Sequence, residues 1–329
     1  VCSSDLSVPS LSVRWIDPAS NPSQVREAGI RTLPSLLIQK KEKKLVIGRS
    51  RLFGSRPQTG NSRAFYGETA IIEALKNFEL TQPVTVFFPG QGNAPGIDPS
   101  PGGFSRLLEV LRTEAFQPSM EITVPEGPEP ALIFLPPVTL DSKISKQIRR
   151  RLLKEFPTIL FFEPSPVNPL GDSPEEMRFE YLGFPVADPL RNTGSELSFL
   201  IPDVSKHPIA GFLNPRLPAL FPGSASFLSR HPAAKPILRS SPFSWAENPM
   251  YGNAGPRFDP EREKKGPLNL VLDMGGKLIL FGDQGFLSNQ FLNHPGNQEL
   301  LVHTLRYLTG QLQTSLQFPR FIQNRPLQI

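Results

Sequence analysis

Three short apolar runs, at residues 84–88, 131–135 and 158–162, are each stopped within two residues by a proline. Their apolar residues are continuous rather than alternating, as expected of strands covered on both faces, and proline ends a strand cleanly. Between the first two runs, Phe104, Leu107, Leu108 and Leu111 recur at helical spacing; between the second and third, Ile144, Ile148, Leu152 and Phe156 do the same. Strands alternating with helices of this length imply right-handed crossovers and a mainly parallel sheet. A fourth run, 277–281, ends in Gly282 and Asp283, and a polar loop then leads to a helix carrying Leu300, Leu301, Leu305 and Leu308. Asn297 is placed as the N-cap of that helix and Gly310 as its stop. The predicted class is α/β.

A parallel sheet built this way is flavodoxin-like or class I glutamine-amidotransferase-like. It is expected over 83–312, with a proline-rich, irregular insertion at about 164–267. At 329 residues the chain exceeds one ordinary domain, and 38 prolines exclude a helical bundle. The net charge of +5 is thinly spread over 35 basic and 30 acidic side chains, and no nucleic-acid motif accompanies it. Lys143, Lys146, Arg149, Arg150, Arg151 and Lys154 gather on one helix, a solvated face or one turned toward lipid headgroups or an acidic partner. Aromatic residues do not interleave with them, which argues against single-stranded nucleic acid. No apolar run approaches the ~20 residues of a membrane span.

The opening residues 1–6, VCSSDL, resemble the translated end of a sequencing adapter and are set apart from the fold, so the true N-terminus is expected to lie elsewhere. They hold Cys2, the only cysteine, which leaves no internal disulfide and no paired-thiol chemistry. From there the pattern predicts a strand at 11–16, a helix near 23–28 closed by Gly29, a strand at 30–38 around Pro34, and a charged hairpin turn at 40–44 before a strand at 45–47. A Gly- and Arg-rich loop at 48–63 and a helix with Ile71, Ile72, Leu75 and Phe78 follow. Residues 7–80 resemble the second half of a thioredoxin-like domain through Asp17, Asn21, Pro22, Gly29, Ile30, Arg31, Pro34 and Leu36 to Ile38. The resemblance puts Pro34 at the cis-proline position and implies a scaffold or docking unit, since the redox half is absent.

Ligands of open α/β sheets bind at the carboxyl ends of the strands, so the Gly90-Gln91-Gly92 turn and Asp283 are the first places to look for a site. The turn lacks the GxGxxG and Walker patterns of a phosphate cradle, and its glutamine does not titrate. It reads as a structural turn, with a neutral ligand held by backbone amides as the alternative. Asp283 reads either as a turn cap or as a group for a cation or hydroxyl. No cysteine nucleophile follows a strand, and Pro222 to Ser226 and Gly194-Ser195 fall short of a GxSxG elbow. His207, His231 and His294 each precede a proline and read as loop-positioning residues, and His303 falls inside the last helix. No metal-ligand spacing is present, and no cofactor is expected.

Several of these residues also occur in one family pattern. Gly282, Asp283, Phe286, Ser288, Asn289 and Asn297 resemble the closing segment of the GldG-like family, auxiliary subunits of an ABC-type transport system linked to gliding motility. His207-Pro208-Ile209, Phe221-Pro222-Gly223-Ser224 and Ser241-Pro242-Phe243-Ser244-Trp245-Ala246-Glu247 resemble that family's intervening segments in order and spacing. Where members tend to have Gly-His-Gly, this chain has Gly90-Gln91-Gly92.

The resemblance implies a non-enzymatic, extracytoplasmic (periplasmic) auxiliary protein. Its partners would be the permease and ATPase subunits of the same system or an envelope ligand. It would be held at the membrane by an anchor outside this segment, with 313–329 as linker. The residues expected to carry contact are Gly90, Gln91, Gly92, His207, Trp245, Asp283 and Asn289. Two rival expectations remain. One is a hydrolase built where Asp283, His207 and the Gly90 turn converge; the other is a sugar- or peptide-binding groove lined by Phe104, Trp245 and Tyr251.

Overall fold

The computed structural model describes residues 12–30, 33–40, 43–48, 52–55, 63–65, 67, 71, 84–88, 96–114, 116–121, 123–171, 178–195, 198–200, 206–213, 218–229, 231–248 and 256–311. The chain divides into two compact units, Val1–Gln82 with Pro319–Ile329, and Pro83–Phe318.

In the first unit, helix α1 (Pro22–Glu27) starts on a proline and ends where Gly29 takes a positive φ of 71°. That left-handed conformation is open to glycine without steric penalty and stops a helix. Strands β1 (Leu36–Lys40) and β2 (Lys43–Ile47) form an antiparallel hairpin with Leu36 opposite Ile47. The expected strand at 11–16 is absent over 12–16, where Asp17 instead gathers Ala19 and Ser20 into a side-chain-bonded turn. The stretch read as a loop at 48–63 contains β3 (Phe53–Ser55), paired with β4 (Arg63–Phe65). Strand β1 begins after Pro34, and the Leu33–Pro34 bond is cis. The helix expected from Ile71 lies outside the described residues except for Ile71 itself.

The second unit is built on one mixed sheet. Its strands are β5 (Val84–Phe87), β6 (Phe116–Ser119), β7 (Ala131–Phe134), β8 (Thr158–Phe161), β9 (Phe179–Leu182), β14 (Ser226–Ser229), β15 (Ala234–Arg239), β17 (Asn269–Met274) and β18 (Leu278–Phe281). The order is β6-β5-β7-β8-β18-β17-β14-β9, with β15 paired to β17. From β6 to β18 every pairing is parallel; beyond β18 every pairing is antiparallel. Residues β7, β8 and all but the first of β18 are buried, as their unbroken apolar runs require. Strand β6 was not foreseen because FQPS carries no apolar run. Pro118 is tolerated there because β6 is an edge strand.

Helices cover both faces. Helix α2 (Ser105–Thr113) and the last helix share one core with Phe134, Phe161, Ile279 and Phe281, whereas α3 (Ser142–Leu153) packs Ile148 with Ile133, Leu160 and Leu280 on the other. Between β9 and β14 lie β10 (Val186–Ala187), β11 (Asn192–Ser195), β12 (Ser198–Leu200), the short helix α4 (Pro208–Phe212) and β13 (Leu220–Phe221). β16 (Trp245–Ala246), which pairs with β10, lies between β15 and β17. The proline-rich segment at 164–267 is therefore more than an excursion between two strands. It supplies β9, β14 and β15, part of the antiparallel half of the sheet.

The last helix, α5, spans Pro295–Leu308 with His294 as its cap. Asn297 is thus in the first turn rather than at the cap. Its amide is used elsewhere, bonding the backbone of Leu220 through both its N–H and its C=O. Proline at the first helical position is pre-organised for the helix and lacks an N–H that would go unpaired, which moves the start upstream of Asn297. Among the described residues no helix is long and apolar enough to cross a membrane.

Candidate functional site

The carboxyl ends of β8 and β18 meet in register. Phe161 lies opposite Phe281, so Glu163 and Asp283, each two residues further on, leave neighbouring parallel strands side by side. Their floor is an aromatic row. Phe88 contacts Phe134 with 4.8 Å between ring centroids, Phe134 contacts Phe161 at 4.7 Å, and Phe161 contacts Phe281 at 5.1 Å. Phe286 stacks on Phe281 from the segment that follows Asp283.

Gly282 makes the exit possible. A Cβ there would sit 2.0 Å from the Ala225 carbonyl oxygen and 2.7 Å from Ser224 Oγ, so the backbone of 224–225 closes against the strand only because residue 282 has no side chain. Ala225 N–H donates to Gly282 O at 2.7 Å, and Gly223 N–H donates to Asp283 Oδ2 at 3.1 Å. On its other side Asp283 Oδ1 accepts from Phe286 N–H at 3.3 Å, at the start of the 3-10 turn Gly285–Leu287. Asp283 is buried, and burial pushes its carboxyl up to about 7 despite the backbone N–H groups that favour the charged form; the nearby Glu163 raises it further. Tyr181 donates its hydroxyl to the Glu163 carbonyl, and burial raises the phenol's pKa.

His207 is at the other end of the sheet. Its Nε2 lies 3.1 Å from Asp273 Oδ2, its Nδ1 accepts from Ile209 N–H at the start of α4, and its ring meets Tyr307 edge-on. Tyr307 donates to the same Asp273 oxygen at 2.9 Å, and burial with that carboxylate pushes its phenol up to about 12. Asp273 faces Ile279, four residues before Asp283, so the carboxylate that binds His207 is set roughly 13 Å back along the strand from Asp283. The expected convergence of His207 with Asp283 is not formed. Gly90, Gln91 and Gly92 lie outside the described residues.

Asn289 is a bracket. Its Oδ1 accepts from Arg106 N–H at 2.9 Å and from Ser105 Oγ, capping α2 from a distance, while its Nδ2 donates to the carbonyls of Asp98 and Ser100. With these bonds made the amide has no capacity left for a ligand. Trp245 is likewise settled: its indole N–H donates to Glu247, its ring packs against Phe258, and it is buried. Phe104 is buried against Phe134 in the sheet core, and Tyr251 lies outside the described residues, so the proposed aromatic groove loses both described members to packing. The elbow look-alike is closed too, because Ser224 is fully buried and donates its hydroxyl to Ala225 O.

Glu163, Asp273 and Tyr307 were not singled out from the sequence, and Gly223 entered only within the Phe221-Pro222-Gly223-Ser224 segment and the elbow look-alike. For Glu163 a signal existed: like Asp283, it is the first titratable residue after a buried parallel strand. Among the described residues no group of three or more His, Cys, Asp or Glu side chains is placed to hold a metal ion.

No protein-family model matches the chain, and no curated protein matches it. Among solved structures it is similar to the mmIFT52 N-terminal domain, at 13% identity and a TM-score of 0.47, covering 68% of this chain and 97% of that one. It is also similar to a putative ThuA-like protein from Bacteroides uniformis, at 12% identity and a TM-score of 0.42, covering 69% and 92%. A third is the exo-beta-1,4-mannosidase Op5Man5 from Opitutaceae bacterium strain TAV5, at 14% identity and a TM-score of 0.32, covering 72% and 38%. At scores below 0.5, none of the three bears on what this chain does.

Proposed function

We propose that the chain is the extracytoplasmic part of a GldG-like, non-enzymatic auxiliary subunit of an ABC-type transport system. It acts by contact with the permease and ATPase subunits or with an envelope ligand, and is held at the membrane by an anchor outside this segment. In this reading the sheet is flavodoxin-like, of the class I glutamine-amidotransferase kind, and residues 7–80 are an incomplete thioredoxin-like docking unit. The observation that carries the contact reading is the use already made of the motif residues. Asn297 is engaged by backbone groups of the chain itself and Asn289 by backbone groups and the Ser105 hydroxyl, and His207 and Trp245 are paired inside it. Residues so engaged hold a frame in shape and leave its loops to meet a partner. The test is co-expression with an ATPase and multi-span permease encoded beside it, followed by co-purification.

A second reading has one observation in its favour. Glu163 and Asp283 leave adjacent strands together, and Asp283 is raised to about 7, which is how acid–base pairs are poised near neutral pH. In that reading the carboxyl rim is a hydrolase site. Turnover that is lost in both Asp283→Asn and Glu163→Gln, with the fold retained, would favour it over contact.

A further inference from the structure

Helix α3 and its cap residue concentrate the chain's surplus charge. Residues 142–154 hold six cations and no acid, more than the whole chain's net charge of +5. The structure sorts these cations into two groups, and the sequence pattern alone had placed them all on one face. Arg151 is turned inward and buried, donating to Thr158 Oγ1 and to the carbonyls of Pro125, Gly127, Glu129 and Pro157. Arg149 is half-buried and donates to Leu170 O at 3.0 Å. Lys143, Lys146, Arg150 and Lys154 remain exposed, and none of the salt bridges among the described residues involves them.

At intervals of three, four and four residues those four cations project from one side of the helix as a row roughly 16 Å long. Ile148, on the opposite side, is fixed in the core, so the row cannot turn away. Leu153, 71% exposed, flanks it. The acids at its ends, Asp141 and Glu155, lie outside the row, and Asp141 is engaged in capping Lys143 N–H. We propose that this face of α3 docks on an anionic lipid surface. Lys154 Nζ also lies over the Phe156 ring, 5.8 Å from its centroid, but no acid neutralises any of the four in an ion pair among the described residues. A row of cations free of ion pairs, beside an exposed leucine, suits a planar layer of negative headgroups with an apolar interior beneath. Four cations give reversible attachment, fitting an accessory contact that orients a domain held at the membrane by other means. The proposal stands on the helix alone, and its failure leaves the transport reading to its own test.

The experiment is co-sedimentation of the full chain with vesicles of phosphatidylcholine, with and without phosphatidylglycerol, in about 0.1 M and about 0.5 M salt. Binding is expected only to the phosphatidylglycerol vesicles at the lower salt. Replacing Lys143, Lys146, Arg150 and Lys154 together by Gln is expected to weaken it at least about tenfold, with the thermal melt unchanged because none of the four is buried. Neutralising Arg191, Lys235, Lys264 and Lys277 instead, which are also exposed, removes the same charge and is expected to leave most binding intact. Equal loss in the two variants, no loss in the first, or no binding by the unaltered chain overturns the proposal. So does preferential capture of an acidic polypeptide such as polyglutamate over the vesicles at equal charge.

Discussion

The side-chain amide of Asn297 pairs with the backbone of Leu220 as a strand neighbour would, accepting its N–H at 2.7 Å and donating to its C=O at 3.0 Å. The same Nδ2 also reaches the carbonyls of Phe286 and Phe291, so one buried residue of α5 joins β13 to the segment that follows Asp283. Asn297→Ala leaves these groups without a partner in a buried site and is expected to cost about 2–3 kcal/mol. Asn297→Asp is expected to cost more, because a carboxylate faces the carbonyl oxygens that the amide now satisfies. Urea unfolding of the two variants checks both the size and the order.

Asp283 gives stability a definite pH dependence. Unfolded, its carboxyl titrates near 3.8; folded, near 7. The folded chain holds this proton more tightly, so the group's contribution is full below about pH 4 and is lost as pH rises through 7. A shift of this size corresponds to on the order of 4 kcal/mol. Asn keeps the shape but one acceptor fewer, so Asp283→Asn is expected to carry a constant cost and none of this slope. Unfolding free energies measured from pH 4.5 to 8.5 in both proteins, taken as a difference, should fall for the unaltered chain relative to the variant. A difference that is flat with pH contradicts the burial argument.

The parallel half of the sheet was legible because β7, β8 and nearly all of β18 are buried and write themselves as apolar runs, while β5, only partly buried, still carries Val84, Val86 and Phe87. Helices α2 and α3 were legible through their apolar spacing. Strands β9, β14 and β15 were not. Their stretches, FEYL, SFLS and AKPILR, mix polar residues and a proline with few apolar ones, and a strand of that composition is recognisable only once its neighbours are known. The site residues fared differently again. Asp283 was found by position at a strand end, but nothing in the spacing told that Asn289 and Asn297 bind backbone nearly two hundred and about eighty residues away in sequence. Nor did helical spacing reveal that Arg151 faces inward, since a guanidinium among carbonyls reads like any cation in a basic run.

Arg151 is expected to be intolerant of its nearest analogue. Its burial draws the guanidinium down to about 10, and its planar fork is matched to several carbonyls at once. Arg151→Lys supplies a point charge that reaches fewer of them, with an expected loss of about 3 kcal/mol. Arg150→Lys, one residue away and exposed, is expected to shift stability by less than about 0.5 kcal/mol. Thermal melts of the pair test whether position rather than charge decides.

The aromatic row beneath the rim predicts a graded response. Phe161 touches Phe134, Phe281 and Phe286 and is fully buried, so Phe161→Ala is expected to cost about 3–5 kcal/mol and Phe161→Leu less than half of that. Equal losses in denaturant unfolding would contradict this, showing that the ring contacts, rather than the volume the side chain fills, carry the stabilisation.

Co-expression with an adjacent ATPase and permease, read by affinity capture on this chain, tests the contact function most directly. The account predicts that all three are recovered together and that Glu163→Gln and Asp283→Asn leave the complex assembled. Recovery of this chain alone, together with hydrolytic turnover that both substitutions abolish, would contradict it.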